Sequence, residues 1–129
     1  MSEGKKIKVL IIEDDSYISD MYKIKFESEN FETVIASDGV EGIKFLEKEV
    51  PNIILLDIVM PQIDGFSVLK MIKKDKRLEK TPVILLTNLS QKENIERGFE
   101  LGANGYIIKA HFTPSEVVKK IKETLEHSV

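Results

Sequence analysis

Charged and hydroxyl residues stand at the ends of apolar runs in this sequence, in types that suit chemistry at a phosphate or a metal ion. They are Glu13, Asp14, Asp57, Thr87 and Lys109. Asp57 is the clearest case, because it follows four consecutive apolar residues, Ile53 to Leu56. A carboxylate at the end of a buried strand is costly unless it is paired, hydrogen-bonded or bound to a metal. Asp57 therefore either reaches water at a sheet edge or faces a group that needs its charge.

The elements that must position these residues are strands alternating with helices. Five apolar runs rich in β-branched residues predict strands at residues 7–12, 31–36, 52–56, 82–87 and 105–109. Apolar spacings of three and four predict a helix after each run, and in the fourth helix the apolar face is Ile95, Phe99 and Leu101. Capping side chains mark the predicted helix starts; they are Asp15, Asp38, Asp64, Ser90 with Glu93, and Thr113 with Glu116. We predict an α/β fold, a (βα)5 doubly wound five-stranded parallel sheet with the flavodoxin-like strand order 2-1-3-4-5.

The polar residues would then meet at one edge of the sheet. Open α/β sheets bind ligands outside the carboxyl ends of their strands, where the strand order reverses. Glu13, Asp14 and Asp57 would crowd there, and a hard divalent cation such as Mg²⁺ relieves the repulsion between carboxylates. Lys109 adds a positive charge and Thr87 a hydroxyl donor, which together suit a phosphoryl group. Asp57 is the candidate nucleophile, because an aspartate can form an acyl phosphate.

Composition excludes several other classes of protein. The 129 residues fit one domain, 42% of them are hydrophobic, and the absence of cysteine rules out disulfides and thiol chemistry. No signal-peptide pattern or apolar stretch of about 20 residues is present, so we expect a cytoplasmic protein without a membrane partner. The net charge of −3 gives no basic footprint, so we expect no nucleic-acid partner. We also expect residues 1–129 to form a single domain without an output domain.

Four motifs carry a resemblance to a known family. They are "VLIIEDD", "LLDIVMPQIDG", "VILLTN" and "GANGYIIKA". With these motifs in order from Ile7 to Leu125, the chain resembles the response-regulator receiver domains of two-component signalling, in particular the stand-alone chemotaxis regulators. The resemblance implies that Asp57 accepts a phosphoryl group from a sensor histidine kinase or a histidine phosphotransfer protein. It implies a domain that catalyses its own phosphorylation and dephosphorylation rather than a conventional enzyme.

The resemblance also assigns roles to single residues. Asp14 and Asp57 would bind Mg²⁺ or Mn²⁺ directly, Glu13 through water, and the backbone carbonyl of Val59 would be a further ligand. Lys109 would pair with the phosphoryl oxygens. Thr87 would follow the phosphoryl group inward and Tyr106 would turn inward with it as the switch. The surface of the fourth helix, fifth strand and fifth helix would then contact an output protein that the sequence does not identify, as a monomer or a phosphorylation-dependent dimer.

Three departures from the family pattern stand out. Ala110 replaces the proline that usually follows the lysine, and we expect either a trans Lys109–Ala110 peptide or a locally strained loop. Asn88 replaces a small residue beside Thr87 and would hinder or hydrogen-bond the switch. Val59 and Leu89 are apolar, so neither orients a hydrolytic water, and we expect slow loss of the phosphoryl group.

Other functions stay open beside the signalling switch. A relay intermediate would pass the phosphoryl group on to a histidine, and a degenerate receiver would act only by binding. A phosphatase with an aspartyl nucleophile commonly needs a second acid two residues later, where this chain has Val59. A flavodoxin-like carrier needs a Ser/Thr/Gly-rich phosphate loop after the first strand, where this chain has "EDDS".

Overall fold

Strands and helices alternate along the chain in the predicted order. The computed structural model describes residues 6–127. Within them the strands are β1 (Lys8–Ile12), β2 (Glu32–Ala36), β3 (Ile53–Leu56), β4 (Val83–Thr87) and β5 (Gly105–Ile108). The α-helices are α1 (Ser16–Ser28), α2 (Gly39–Lys48), α3 (Gly65–Lys74), α4 (Lys92–Glu100) and α5 (Pro114–Glu126), and a short 3-10 turn spans Lys109–His111. None of these helices is long and apolar enough to cross a membrane.

The strands form one parallel sheet in the order β2-β1-β3-β4-β5, which confirms the predicted topology. Successive side chains of a strand point to opposite faces of the sheet, so each central strand contributes side chains to two hydrophobic cores. Val9 and Ile11 of β1 join the core under α1 and α5, whereas Leu10 and Ile12 join the core on the other face. That second core also receives Leu69 and the other buried residues of α3. The sheet is thus covered on both faces, which explains why residues 9–12, 53–56 and 83–86 of β1, β3 and β4 are all apolar.

Most of the predicted helix starts are confirmed. Asp15, Asp38, Asp64 and Thr113 each accept a hydrogen bond from a backbone N–H of the first turn, and Thr113 forms a full capping box with Glu116. The predicted Ser90 cap is wrong, because α4 begins at Lys92 after Gln91, whose side chain makes no capping bond. Ser90 therefore lies one residue too early to reach the orphan N–H groups.

The predicted apolar face of α4 is wrong at Phe99, whereas Leu101, which follows the helix, is half-buried against the core. Phe99 is 50% exposed and Ile95 is half-buried, while Gly98 is the buried residue of this helix. A Cβ atom at Gly98 would lie 2.6 Å from Leu85 Cδ1, so the missing side chain is what lets α4 approach β4. This helix therefore packs against the sheet through the close approach of its backbone to β4 rather than through an apolar stripe.

Candidate functional site

The carboxyl ends of the two central strands bring the first two acids together. Ile12 and Leu56 are register partners in β1 and β3, so Glu13 and Asp57 each follow at the same level of the sheet. The Asp57 N–H donates to the Ile12 carbonyl at 3.0 Å, which extends the strand pairing to the acid itself. Both side chains are buried, at 3% exposure for Glu13 and 6% for Asp57. The structure thus places two carboxylates side by side at a protected edge, as the sequence predicted.

Lys109 reaches this edge from the end of β5. Its Nζ lies 2.5 Å from Glu13 Oε1 and 3.3 Å from Asp57 Oδ2, so one ammonium group bridges both acids. The lysine side chain is mostly buried. A buried carboxylate is tolerated when it is paired, and this bridge supplies the pairing.

The charges of the cluster act on one another. Burial raises the pKa of the Glu13 carboxyl, and the nearby Asp57 charge raises it further, although the hydrogen bond from Lys109 opposes the shift. Burial lowers the pKa of Lys109, but its hydrogen bond to Glu13 and the negative charge of Asp57 outweigh burial, so its pKa is raised overall. Burial disfavours the charged form of both groups; it dominates at the Glu13 carboxyl, whereas at Lys109 the hydrogen bond and the negative charges of Glu13 and Asp57 together outweigh it. Lys109 therefore stays protonated at neutral pH.

The loop after β3 holds Asp57 in a fixed orientation. The Ile58 N–H donates to Asp57 Oδ1 at 2.7 Å. The Gly65 N–H donates to the Ile58 carbonyl at 2.8 Å, which folds the start of α3 back onto the strand end. A Cβ atom at Gly65 would overlap with the Asp57 carbonyl oxygen, so only glycine fits there. Gly65 thus permits the close approach that shapes the acceptor loop.

Thr87 and Tyr106 are connected through the backbone of Leu89. Thr87 is 1% exposed at the end of β4, and its Oγ1 accepts a long hydrogen bond of 3.4 Å from the Leu89 N–H. The Tyr106 hydroxyl donates to the Leu89 carbonyl at 2.7 Å. The ring of Tyr106 is half-buried and lies over Gly98 of α4. Two hydroxyl groups from neighbouring strands therefore hold one residue of the β4–α4 loop from its two sides.

A comparison with known families adds to this geometry. Residues 9–122 match the family described as response regulator receiver domain. The chain belongs to this family. A solved receiver domain protein from Methanospirillum hungatei, described as CheY-like, superposes with a TM-score of 0.89 at 31% identity, over 96% of this chain and 97% of that one. A receiver domain of Francisella matches at 31% identity with a TM-score of 0.88, over 96% of this chain and 100% of that one.

The relatives among characterised proteins correct one expectation. The probable transcriptional regulator ycf27 of Guillardia theta is 35% identical over 95% of this chain and 47% of its own length. The DNA-binding dual master transcriptional regulator RpaA of Synechocystis is 33% identical over 94% of this chain and 50% of its own length. The chain spans about half the length of these relatives. The expectation of no nucleic-acid partner is therefore wrong, because relatives that match across this domain include a DNA-binding regulator, and the net charge of a receiver domain does not report on nucleic-acid binding by a protein that contains it.

The acidic cluster of this receiver domain suits a divalent cation. One carboxylate oxygen from each of Glu13, Asp14 and Asp57 lies within 4.8 Å of the others. Three carboxylates and one lysine ammonium leave an excess of two negative charges, which is what a divalent ion neutralises. Asp14 is exposed and leaves the cluster open to water on one side. Receiver domains bind Mg²⁺ at this pocket, whereas the part of the Val59 carbonyl stays a prediction.

Two departures from the family pattern and one missed residue surround the site. The Lys109–Ala110 peptide is trans, as are the other peptide bonds of residues 6–127, and Ala110 lies in the 3-10 turn. Asn88 is exposed at the end of β4. Sequence reasoning missed Tyr22, whose pKa is raised mainly by burial and whose hydroxyl is influenced by the charges of Lys109 and Glu13. The sequence carried a signal for it, because a tyrosine on the apolar face of α1 has a hydroxyl group that needs a hydrogen-bond partner.

Proposed function

We propose that this receiver domain is a phosphorylation-dependent switch that takes a phosphoryl group onto Asp57. The observation that supports this most strongly is the Lys109 ammonium, which contacts both Asp57 and Glu13 beside an open cluster of three carboxylates. Such a site provides a nucleophile, a fixed cation and room for a second cation at one point, as phosphoryl transfer requires. The donor is a phosphohistidine of a kinase or phosphotransfer protein.

In the transfer step an Asp57 carboxylate oxygen forms a bond to phosphorus while the bond from phosphorus to the histidine nitrogen breaks. The electron pair of the broken bond goes to that nitrogen, and the ring, which carries a proton on its other nitrogen, leaves as neutral imidazole. Asp14, Asp57 and the Val59 carbonyl would hold Mg²⁺ directly and Glu13 through water, and the bound ion would supply charge neutralisation at the phosphoryl oxygens. Lys109 pairs with these oxygens from the β5 side, and the Ile58 N–H keeps the acceptor carboxylate oriented.

The proposed readout runs through Leu89. The Thr87 hydroxyl turns to the phosphoryl group and gives up its long hydrogen bond from the Leu89 N–H. The loop that carries Leu89 then moves, and the Tyr106 hydroxyl loses the Leu89 carbonyl as its partner. Tyr106 turns inward and α4 shifts, so the surface of α4, β5 and α5 changes for an output partner. Exposed Val59 and half-buried Leu89 offer no polar group to a hydrolytic water, so the phosphoryl group is lost slowly.

Intact mass spectrometry tests the proposal. Wild-type protein with Mg²⁺ and phosphoramidate should gain one phosphoryl group, and Asp57→Asn protein or a sample with EDTA should gain none. Asp38→Asn is the matched control, because Asp38 caps α2 away from the cluster and its variant should gain the group as wild type does. Phosphorylation of Asp57→Asn, or none of wild type under conditions where Mg²⁺ binds, would contradict the proposal.

A further inference from the structure

Residues 70–80, which end α3 and lead to β4, carry a concentration of positive charge. Six of them are Lys or Arg and two are acids, so the segment has a net charge of +4, whereas the whole chain has −3. Four of the lysines are exposed; they are Lys70, Lys74, Lys76 and Lys80. None of these four ammonium groups pairs with an acid within residues 6–127. The segment therefore presents uncompensated charge to its surroundings.

The stability of α3 does not account for this charge. A lysine in the last turn of a helix interacts favourably with the helix dipole, and Lys74 lies in the last turn of α3. Lys70 lies one turn earlier, and like charges four residues apart on a helix repel each other and destabilise it. On α1 and α4, by contrast, Lys23 and Lys92 each pair with a glutamate four residues later. A row of unpaired charge that costs stability indicates a binding surface.

An apolar cavity of about 170 Å³ lies beside this row, between α2, α3 and the segment that follows α3. Met71 is 47% exposed, lines the cavity and lies three residues before Lys74, on the same face of α3. Arg77 donates to the Leu46 carbonyl at 2.8 Å and to Asp75 Oδ2 at 2.9 Å. These bonds tie the segment after α3 to α2, so the cavity is preformed. The other apolar residues of its wall are Ile43, Ile72 and Leu78.

We propose that Lys70, Lys74 and this cavity, together the α2–α3 surface, bind an acidic segment of another protein. Acids of that segment contact the lysines, and an apolar side chain beside them enters the cavity. Charge alone would equally suit the phosphates of a nucleic acid, but an apolar cavity beside the lysines suits a protein side chain. Glu47 on the α2 rim is exposed and repels acids, whereas Arg77 neutralises Asp75. The acids of the partner therefore lie on the α3 side.

The α2–α3 surface is separate from the acidic cluster and from the surface proposed for the readout. Helix α3 begins at Gly65 beside Ile58 and runs away from the carboxyl ends of the strands. None of the residues that line the cavity belongs to α4, β5 or α5. Binding at this surface is therefore expected without Mg²⁺ and without a phosphoryl group on Asp57, so it goes beyond the proposed function.

Fluorescence anisotropy with labelled peptides, in the absence of Mg²⁺, tests the surface. The first probe is a short peptide of glutamates and serines with one central leucine, and the second has serine in place of the leucine. Wild type should bind the leucine peptide about tenfold more tightly than the serine peptide, because the cavity takes up the leucine side chain. Met71→Ser should remove most of this preference, because it removes an apolar wall of the cavity.

The lysines are tested with the same two peptides. The double variant Lys70→Gln/Lys74→Gln should bind both peptides about three- to tenfold more weakly, because two contacts between exposed charges are lost. Lys92→Gln/Lys119→Gln is the matched control, since it removes two exposed lysines outside the surface and should bind as wild type does. Circular dichroism verifies that each variant is folded.

Three results with the peptides would overturn the proposal: no binding, equal binding of the two peptides by wild type, or an equal loss in the control variant. A labelled oligothymidylate is the third probe. If it binds more tightly than the leucine peptide and Lys70→Gln/Lys74→Gln abolishes this binding, the surface belongs to a nucleic acid and the proposal is wrong. If wild type binds the leucine peptide as expected but accepts no phosphoryl group, the proposed function fails and the α2–α3 surface stands.

Discussion

Helices α3 and α4 follow neighbouring strands on the same face of the sheet, yet they are attached to it in different ways. The buried residues of α3 are Gly65, Phe66, Val68, Leu69 and Ile72, and Asp64 caps its first turn. In α4 only Gly98 is buried, and no side chain caps its start. The helix after the acceptor strand is therefore anchored, and the helix after the Thr87 strand is held by few contacts. The acceptor site therefore stays fixed, whereas α4, the helix of the proposed readout, can move.

The largest expected effect compares two glycines. Gly65→Ala should destabilise the protein by more than about 4 kcal/mol, because the new Cβ overlaps with the rigid backbone at Asp57. Gly98→Ala should cost less, about 1–2 kcal/mol, because the new Cβ meets the movable end of the buried Leu85 side chain and the helix preference of alanine offsets only part of that cost. Urea denaturation measures both. Similar costs would mean that α3 and α4 are equally constrained.

The next comparison truncates one apolar side chain on each helix. Leu69→Ala should cost about 3 kcal/mol, because Leu69 is fully buried and its removal leaves a cavity. Phe99→Ala should stay within about 0.5 kcal/mol, because half of Phe99 is already exposed to water. Chemical denaturation monitored by circular dichroism gives both values. A large cost for Phe99→Ala would show that Phe99 anchors α4 more firmly than its 50% exposure indicates.

Two substitutions at helix N-caps should change the stability by smaller amounts, and with opposite signs. Asp64→Ala removes the acceptor of the Ser67 N–H and should cost about 1 kcal/mol. Gln91→Asp introduces a capping carboxylate at the uncapped start of α4 and should add up to about 1 kcal/mol. Thermal melting of the two variants, with Ser115→Ala as an exposed reference, measures the signs. A stabilising Asp64→Ala would contradict the capping assignment.

Removal of the Tyr106 hydroxyl tests whether α4 can be loosened without loosening α3. Tyr106→Phe removes the hydrogen bond to the Leu89 carbonyl and should cost about 0.5–1 kcal/mol. Amide hydrogen exchange should accelerate in α4 and the loop before it, while exchange in α3 stays as in wild type. Faster exchange in both helices would mean that they open as one unit.

The smallest effect concerns the charge of Glu13, beside the acceptor Asp57. Because burial raises the folded-state pKa of Glu13, its proton favours the native state, and that contribution is lost as pH rises through the folded pKa. Without added Mg²⁺, Glu13→Gln should therefore be more stable than wild type at neutral pH. The gain should vanish below the ordinary glutamate pKa of 4.5, where wild type is protonated in both states. Denaturation curves of both proteins at neutral pH and below pH 4.5 measure this gain in stability. A gain that is larger in acid would contradict the raised pKa of Glu13.

Sequence reasoning succeeded where local chemistry and strand topology agree. The parallel sheet follows from apolar runs that alternate with capped helices, and the pairing of Glu13 with Asp57 follows from strands that end at the same level. It failed on α4 because Gly98, the residue that lies against the sheet, has no side chain, and hydrophobic periodicity registers only side chains. It missed the position of Tyr22 because spacing assigns a helix face but not the depth of a hydroxyl.

The position of Leu89 has a practical consequence for spectroscopy. Its N–H is bonded to the Thr87 hydroxyl and its carbonyl to the Tyr106 hydroxyl. The amide resonance of Leu89 and that of the next residue along the chain, Ser90, therefore respond to different partners. Two adjacent cross-peaks would report separately on the two hydroxyls, and their relative timing during phosphorylation would give the order in which the loop releases them.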